Sequence, residues 1–190
     1  MRIILASASP RRRELLEKML RVRDLEILPA DVEEHMPEDV PPDGLVMALS
    51  RQKAAAVAKG NPDAAVVGAD TVVVLDGAVL GKPKDVGDAK RMLRALSGRR
   101  HTVYTGVTVL RGGTALSRAE RTEVRFRPLD EAEIERYVAT GEPLDKAGSY
   151  GIQGLGSLFV ERIEGDFFNV MGLPLCLLGA MLKELGVTLL

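Results

Sequence analysis

Apolar and polar positions along the chain follow two periods, one typical of strands and one typical of helices. Short apolar runs bounded by turn residues predict strands, and Leu15, Leu16 and Met19 repeat at the spacing of a helix face. Predicted strands cover residues 2–6, 25–28, a hairpin over 64–83 that turns at Asp76-Gly77, two long strands over 101–129 that turn at Gly112-Gly113, and 157–165. Predicted helices begin at the Ser9 cap and cover about 43–60, 85–96, 130–141 and 172–186.

Helices alternate with single strands and hairpins, which predicts an α/β fold with a mixed sheet. The chain of 190 residues has no internal repeat and no Pro- or Gly-rich linker that would divide it. We therefore expect a single domain over residues 1–190.

Composition narrows the class of protein further. Hydrophobic residues make up 46% of the chain and charged residues 28%, as in ordinary soluble globular proteins. The net charge of −1 and the scarcity of aromatics (4%, no Trp) argue against nucleic acid as a partner. The apolar N-terminal run ends at Ser7, too short for a secretory signal, and the single Cys176 lies in an apolar stretch where we expect it buried. A cytoplasmic protein with no membrane span is expected.

The stretch "SASPRRRELL" places three arginines where a helix begins. Ser9 is a good N-cap and Pro10 suits the first helical position. Unfilled backbone N–H groups and the helix dipole favour anions there, so this turn is a candidate phosphate site. The alternative is a solvated basic turn in which the arginines pair with Glu14 and Glu17.

Two charged residues interrupt apolar patterns. Asp70 lies inside the apolar run "AAVVGADTVVVL", where a carboxylate must be paired, hydrogen-bonded, or facing a ligand or metal. A bulge at 68–70, with Asp70 capping nearby backbone, is the alternative. Lys53 continues the apolar stripe of Leu45, Leu49 and Val57, either toward a site or with its ammonium group reaching water at the edge of the stripe.

Oxygen ligands are the metal donors that the sequence offers. Glu33, Glu34 and Asp70, together with phosphate oxygens, would suit Mg²⁺ or Mn²⁺. With only two histidines and one cysteine, the composition argues against a structural zinc site. A solvated acidic loop is the alternative for Glu33 and Glu34.

The segment "DKAGSYGIQG", residues 145–154, is a Gly-rich loop suited to wrapping a ligand. Gln153 carries an amide that can pair with the edge of a base. A plain turn between a helix and a strand is the alternative. The sequence has no Walker A pattern, GxGxxG fingerprint or nucleophile elbow.

Six ordered motifs, "SASPRRRELL", "GADTVVVLDG", "GKPKD", "LSGRRHTVYTGV", "DKAGSYGIQG" and "NVMGLPL", closely resemble the Maf family of nucleoside triphosphate pyrophosphatases. The resemblance implies an α/β fold related to the inosine triphosphate pyrophosphatases, with a long, mixed, twisted sheet and two lobes around a cleft. It also implies a homodimer, a divalent metal cation, and hydrolysis between the α and β phosphates. Markers in "SPRR", "GADT" and "KAGSYGIQG" are similar to those of the branch that acts on dTTP and UTP.

The resemblance also implies roles for individual residues. Asp70 is the expected proton acceptor for the attacking water, with Lys53 and Lys82 in the same pocket. The expected substrate-binding residues are Ser7, Ser9, Arg11, Arg12, Thr71 and Gln153, and the expected metal ligands are Glu33 and Asp70. Arg13 matches a position that varies in kind.

Three other functions stay open at the level of sequence. A phosphatase that removes only the terminal phosphate would use a similar cradle, and would release orthophosphate instead of pyrophosphate. A non-catalytic, nucleotide-sensing regulator of cell division or septum formation would bind without turnover. The third alternative is a pyrophosphatase that acts on modified nucleotides. The function that the resemblance implies is nucleotide-pool housecleaning by hydrolysis of dTTP and UTP.

Overall fold

Strands and helices alternate along the computed structural model, which describes residues 1–32, 35 and 40–189. Its strands are β1 (Ile3–Leu5), β2 (Leu25–Ile27), β3 (Ala65–Leu75), β4 (Ala78–Leu80), β5 (Arg100–Arg111), β6 (Thr114–Phe126) and β7 (Val160–Glu164). Its helices are α1 (Pro10–Glu14), α2 (Pro42–Ala58), α3 (Val86–Leu96), α4 (Glu131–Ala139), α5 (Phe167–Met171) and α6 (Leu175–Glu184). The α/β class predicted from the sequence is confirmed.

One mixed sheet contains all of these strands. Its order is β2-β1-β3-β5-β6-β7, with β4 paired to β3 outside this path. β1 runs parallel to both β2 and β3, so Leu5 lies opposite Ile27 on one side and Val67 on the other. β3–β4 and β6–β7 are antiparallel pairs. The turn between β3 and β4 is at Asp76-Gly77, as predicted, where both residues have positive φ.

The first helix differs from the regular helix that the sequence predicts. Only its first turn is α-helical, and Leu15–Met19 forms a wider π-type turn in which the Leu20 N–H donates to the Leu15 carbonyl at 3.1 Å. The wider turn still buries Leu15 and Leu16 fully. Apolar spacing predicted the buried face and could not predict the local winding.

The structure differs from the sequence predictions at four further points. The strand predicted over 157–165 begins only at Val160, because Leu155–Phe159 forms a 3₁₀ turn. The short helix α5 was not predicted, and the last helix begins at Leu175, after Pro174, instead of at residue 172. The prediction that Cys176 is buried is wrong, because α6 buries Leu175 and Leu178 and leaves Cys176 exposed.

The chain divides into two compact units. Unit 1 comprises Met1–Asp70, Thr105–Glu120 and Gly172–Leu190, and unit 2 comprises Thr71–Tyr104 and Arg121–Met171. The core of unit 1 includes a cluster around Ile4, Ala54 and Val66. In unit 2, Phe126 makes edge-to-face ring contacts with His101, Tyr150 and Phe159. The predicted single domain and its cleft stay predictions.

No helix within the described residues is both long enough and apolar enough to cross a membrane.

Candidate active site

The turn between β1 and α1 is built by two serines. The Ser9 N–H donates to the Ser7 hydroxyl oxygen at 3.2 Å, and the Ser9 hydroxyl oxygen accepts from the Arg12 N–H at 3.5 Å. Ser9 is therefore the N-cap of α1, with Pro10 at the first helical position, as the sequence predicts. Ser7 is 8% exposed and Ser9 is half-buried, so the turn is packed on the end of β1.

Arg12 connects three segments of unit 1. Its Nε donates to the Gly172 carbonyl at 2.7 Å, and its Nη1 donates to the Ala69 carbonyl at 2.9 Å and to the Ser7 hydroxyl at 3.2 Å. These bonds join the β1–α1 turn to β3, one residue before Asp70, and to the segment before α6. No local pattern of the sequence indicates this structural role, because both carbonyl acceptors are distant along the chain. The predicted contact of Arg12 with phosphate is not tested by these bonds and stays a prediction.

The other two arginines of the turn have different surroundings. Arg13 is exposed and pairs with Glu17 at 2.8 Å, one helical turn away. Arg11 is half-buried. The alternative of a solvated basic turn therefore applies to Arg13, whereas Arg12 is hydrogen-bonded to groups within the fold.

Lys53 and Asp70 form an ion pair in unit 1. The Lys53 Nζ lies 2.5 Å from the Asp70 Oδ1, and their side chains are only 17% and 14% exposed. The alternative in which the Lys53 ammonium group reaches open water is wrong. Pairing also explains how a carboxylate can lie in an apolar strand, because an unpaired buried charge is strongly unfavourable.

Two glycines determine how closely α2, the helix of Lys53, approaches the sheet. A Cβ at Gly68 of β3 would lie 2.3 Å from the Ser50 carbonyl oxygen, and a Cβ at Gly106 of β5 would lie 2.2 Å from the Val46 carbonyl oxygen. The helix backbone thus rests directly on the strands. Because side chains at i and i+2 of a strand share a face, Asp70 lies on the same face as Gly68 and meets Lys53. Ser50, fully buried, adds a hydroxyl contact of 2.8 Å to Thr108 on β5.

The remaining predicted site residues lie in unit 2. Thr71 follows Asp70 on β3 and is half-buried, whereas Lys82 and Gln153 are exposed. The segment of Lys82 is joined to the Gly-rich loop, because the Gly148 N–H donates to the Gly81 carbonyl at 3.0 Å. The structure thus connects two of the predicted segments within unit 2. Convergence of the unit 1 and unit 2 residues on one substrate stays a prediction.

The predicted metal ligands are only partly described. Glu33 and its neighbour Glu34 lie outside the described residues, and Asp70 is the one predicted ligand within them. Across residues 1–32, 35 and 40–189 there is no group of three His, Cys, Asp or Glu side chains that could hold a metal ion. Asp70 supplies carboxylate oxygen, the donor that Mg²⁺ and Mn²⁺ prefer.

Comparison with solved structures identifies the fold. A HAM1 protein from Coxiella burnetii superposes with a TM-score of 0.54 at 16% sequence identity, covering 97% of this chain and 99% of the other. At this identity the likeness shows the fold alone. The chain thus has the α/β fold of the HAM1 protein, here with a Lys–Asp ion pair beside an arginine-tied, serine-capped turn.

The sequence comparisons then give the family. The family model described as Maf-like protein matches residues 2–185. The chain belongs to the Maf-like family. Two relatives that carry the name dTTP/UTP pyrophosphatase, from Bacillus cereus (strain AH820) and Bacillus anthracis, are each 50% identical over 186 residues, which cover 98% of this chain and 96% of theirs.

Proposed function

We propose that this protein hydrolyses dTTP and UTP to the nucleoside monophosphate and pyrophosphate. The observation that carries the proposal is the 50% identity, across 98% of the chain, to relatives named dTTP/UTP pyrophosphatase. The site supports the same reaction, because it combines a carboxylate, a paired ammonium group and a donor-rich helix start in one unit. Charge neutralisation and positioning dominate phosphoryl chemistry, and these groups supply both.

In the proposed reaction Asp70 accepts the proton of the attacking water. The paired Lys53 holds the carboxylate in place through its ion pair at 2.5 Å. Ser7, Ser9, Arg11 and Arg12 bind the phosphates, and Lys82 contributes a further positive charge to the pyrophosphate that leaves. A bound Mg²⁺ or Mn²⁺ would neutralise phosphate charge, and Asp70 together with Glu33 would hold it.

Base choice in the proposal depends on Thr71, Gln153 and Arg11. Gln153 both donates and accepts hydrogen bonds, as the edge of uracil or thymine requires. A donor or acceptor that the wrong base buries and leaves unpaired costs about 1–3 kcal/mol, enough to separate uracil and thymine from the other bases.

The proposal extends to the protein's role and assembly. We propose that the protein is a cytoplasmic homodimer and that its role is nucleotide-pool housecleaning. Activity on modified nucleotides, or nucleotide sensing in the control of cell division, would leave the same fold and a similar site.

A nucleotide panel with identification of products tests the function. With Mg²⁺ present, we expect dTTP and UTP to give the highest kcat/KM, ahead of CTP and the purine triphosphates, and we expect pyrophosphate as the product. Release of orthophosphate alone would replace the proposal with a phosphatase, and binding without turnover would replace it with a sensor.

A substitution at the base-reading position tests the specificity. Gln153→Glu keeps the size of the side chain and removes its donor. A glutamate only accepts hydrogen bonds, which suits the donor-rich edge of guanine, so the change should lower kcat/KM for UTP more than for a guanine substrate such as 7-methyl-GTP. A common factor for all substrates, or a wild-type preference for 7-methyl-GTP or a purine triphosphate, would contradict this assignment.

A further inference from the structure

The loop that carries Gln153 is organised around one carboxylate in unit 2. Glu142 begins the 3₁₀ turn Glu142–Asp145, and its Oε1 accepts from the Tyr137 hydroxyl at 2.9 Å and from the Gly156 N–H at 3.1 Å. Its Oε2 accepts from the Leu155 N–H at 3.0 Å. Three donors from two separate segments therefore converge on this carboxylate.

These bonds hold the backbone on both sides of Gln153. Leu155 and Gly156, just after it, are bound to Glu142 directly. Gly151, just before it, donates its N–H to the Tyr137 hydroxyl oxygen at 3.1 Å, and that hydroxyl in turn donates to Glu142. The backbone that presents Gln153 is thus held by one acidic side chain and its tyrosine partner, together with the bond from the Gly154 N–H to the Gly151 carbonyl at 3.3 Å.

The glycine at position 154 is explained by the carboxylate. Gly154 has φ −113° and ψ −148°, so its φ is outside the positive range that favours glycine. A Cβ there would lie 2.5 Å from each carboxylate oxygen of Glu142. Glycine at this position therefore leaves room for the Glu142 carboxylate to reach its donors.

The surroundings of Glu142 favour the ionised carboxylate, which only accepts hydrogen bonds. Burial raises the pKa of this carboxyl group, but the Leu155 and Gly156 N–H groups and the Tyr137 hydroxyl outweigh burial and lower the pKa below its usual value. The ionised carboxylate can accept from all of its donors at once. Lys146 adds a bond from its Nζ to the Glu142 backbone carbonyl at 2.5 Å.

We propose that Glu142 is a positioning residue for Gln153, and that it determines the selectivity for uracil and thymine over cytosine without touching the nucleotide. The inference rests on the proposed function, in which Gln153 reads the base. Glu142 acts through the backbone of 151–156, so its loss changes which base is preferred, while the groups of unit 1 assigned to the reaction keep their own contacts.

The test measures kcat and KM for UTP and CTP in Glu142→Gln, an isosteric change that replaces one acceptor oxygen with a donor. We expect the ratio of kcat/KM for UTP over CTP to fall roughly tenfold, through a higher KM for UTP, with kcat within about twofold of the wild type. The matched control is Glu135→Gln, an exposed glutamate of α4 that pairs with Lys90 at 3.4 Å, which should leave the ratio unchanged.

A double variant and a second single variant separate positioning from mere stability. In a Gln153→Ala background, Glu142→Gln should cause no further change in the ratio, because both act through one side chain. Gly154→Ala, whose Cβ displaces the carboxylate, should reproduce the loss of selectivity even if Glu142→Gln does not fold.

Each outcome decides between the two proposals. If Gln153→Ala changes the ratio whereas Glu142→Gln and Gly154→Ala do not, the positioning role is wrong and base reading by Gln153 stands. If Gln153→Ala itself leaves the ratio unchanged, base reading fails and the positioning role fails with it. Equal losses for UTP and CTP in Glu142→Gln would reduce Glu142 to a structural residue and overturn the proposal.

Discussion

The guanidinium group of Arg12 shows why a structural role and a role in substrate binding are hard to tell apart from the sequence alone. It donates to the carbonyls of Ala69 and Gly172 and to the Ser7 hydroxyl, so it fastens the candidate phosphate turn to the backbone beside Asp70. Hydrogen bonds from a charged group to buried acceptors contribute about 1.5–3 kcal/mol. Loss of Arg12 should therefore affect both folding and nucleotide binding.

Arg12→Ala should lower the free energy of unfolding by about 1–3 kcal/mol, because carbonyls within the fold lose their donor. Arg13→Ala should lower it by no more than about 0.5 kcal/mol, because its pair with Glu17 is exposed. Urea unfolding gives both values, and titration with a nucleotide should show weaker binding for Arg12→Ala alone. Equal and small effects of the two variants would mean that both arginines belong to a surface cluster.

Asp70→Asn should lower kcat by about 10²–10⁴, because the amide keeps the shape of the side chain and cannot accept a proton from water. Turnover of UTP at saturating Mg²⁺ measures this loss, and a thermal melt checks that the fold is kept. The matched control is Asp76→Asn, at the exposed turn that ends β3, where the carboxylate pairs with Arg99 at 2.5 Å. A near-normal kcat in Asp70→Asn would exclude the proton-acceptor role.

At the scale of elements, the direct contact of α2 with the sheet determines the geometry of the site. Gly68 and Gly106 let the helix backbone lie against β3 and β5, and Lys53 reaches Asp70 as a result. Any side chain at either glycine has to move the helix, since the atoms that a Cβ would meet are backbone. The close packing of α2 on the sheet and the Lys53–Asp70 ion pair therefore depend on the same two glycines.

Gly68→Ala should lower the free energy of unfolding by about 1–3 kcal/mol and should also reduce kcat, because the displaced helix carries Lys53 away from Asp70. Urea unfolding and turnover of UTP measure the two effects. Gly179→Ala in α6 is the control, because a Cβ there meets nothing within 4 Å and alanine favours a helix. We expect the control to be as stable as the wild type or about 0.5–1 kcal/mol more stable. If Gly68→Ala folds and its kcat is unchanged, the close packing of α2 is not needed for catalysis.

At the scale of the whole molecule, a buried histidine makes stability depend on pH. His101 is 2% exposed, its Nε2 lies 2.8 Å from the Tyr150 hydroxyl, and burial lowers its pKa from 6.5 to about 4. Between these two pH values the unfolded chain binds a proton that the folded chain does not. The free energy of unfolding should therefore fall as the pH drops from 6.5 toward 4, and the contribution of His101 is fully present above pH 6.5.

Urea unfolding at pH 7 and pH 5 should show a loss of about 2 kcal/mol that is due to His101. His101→Gln, which cannot titrate and still offers an amide toward Tyr150, should remove this part of the pH dependence. The measurements stop at pH 5 because carboxyl groups add their own pH dependence to the free energy of unfolding below their usual pKa. Glu133 is one of them, since Arg127 lowers its pKa from 4.5 to about 2. The same pH dependence in the variant as in the wild type would mean that other groups cause it.

The sequence by itself determined the local features of this protein. The Ser9–Pro10 helix start, the Asp76-Gly77 hairpin and the alternation of strands and helices follow from preferences of residues near each other in the chain. Motifs were sufficient to name the family, because six of them occur in order. Local patterns also singled out Lys53 and Asp70 as charges that break an apolar run.

Only the tertiary structure decided which groups meet. The two carbonyl acceptors of Arg12 lie 57 and 160 residues away along the chain, and the pairing of Lys53 with Asp70 depends on a helix that rests on two glycines. The exposure of Cys176 and the three donors of Glu142 depend in the same way on how separate segments pack. Periodicity shows which face of an element is apolar, whereas the partner of a polar side chain is selected by the close packing of segments that are distant in sequence.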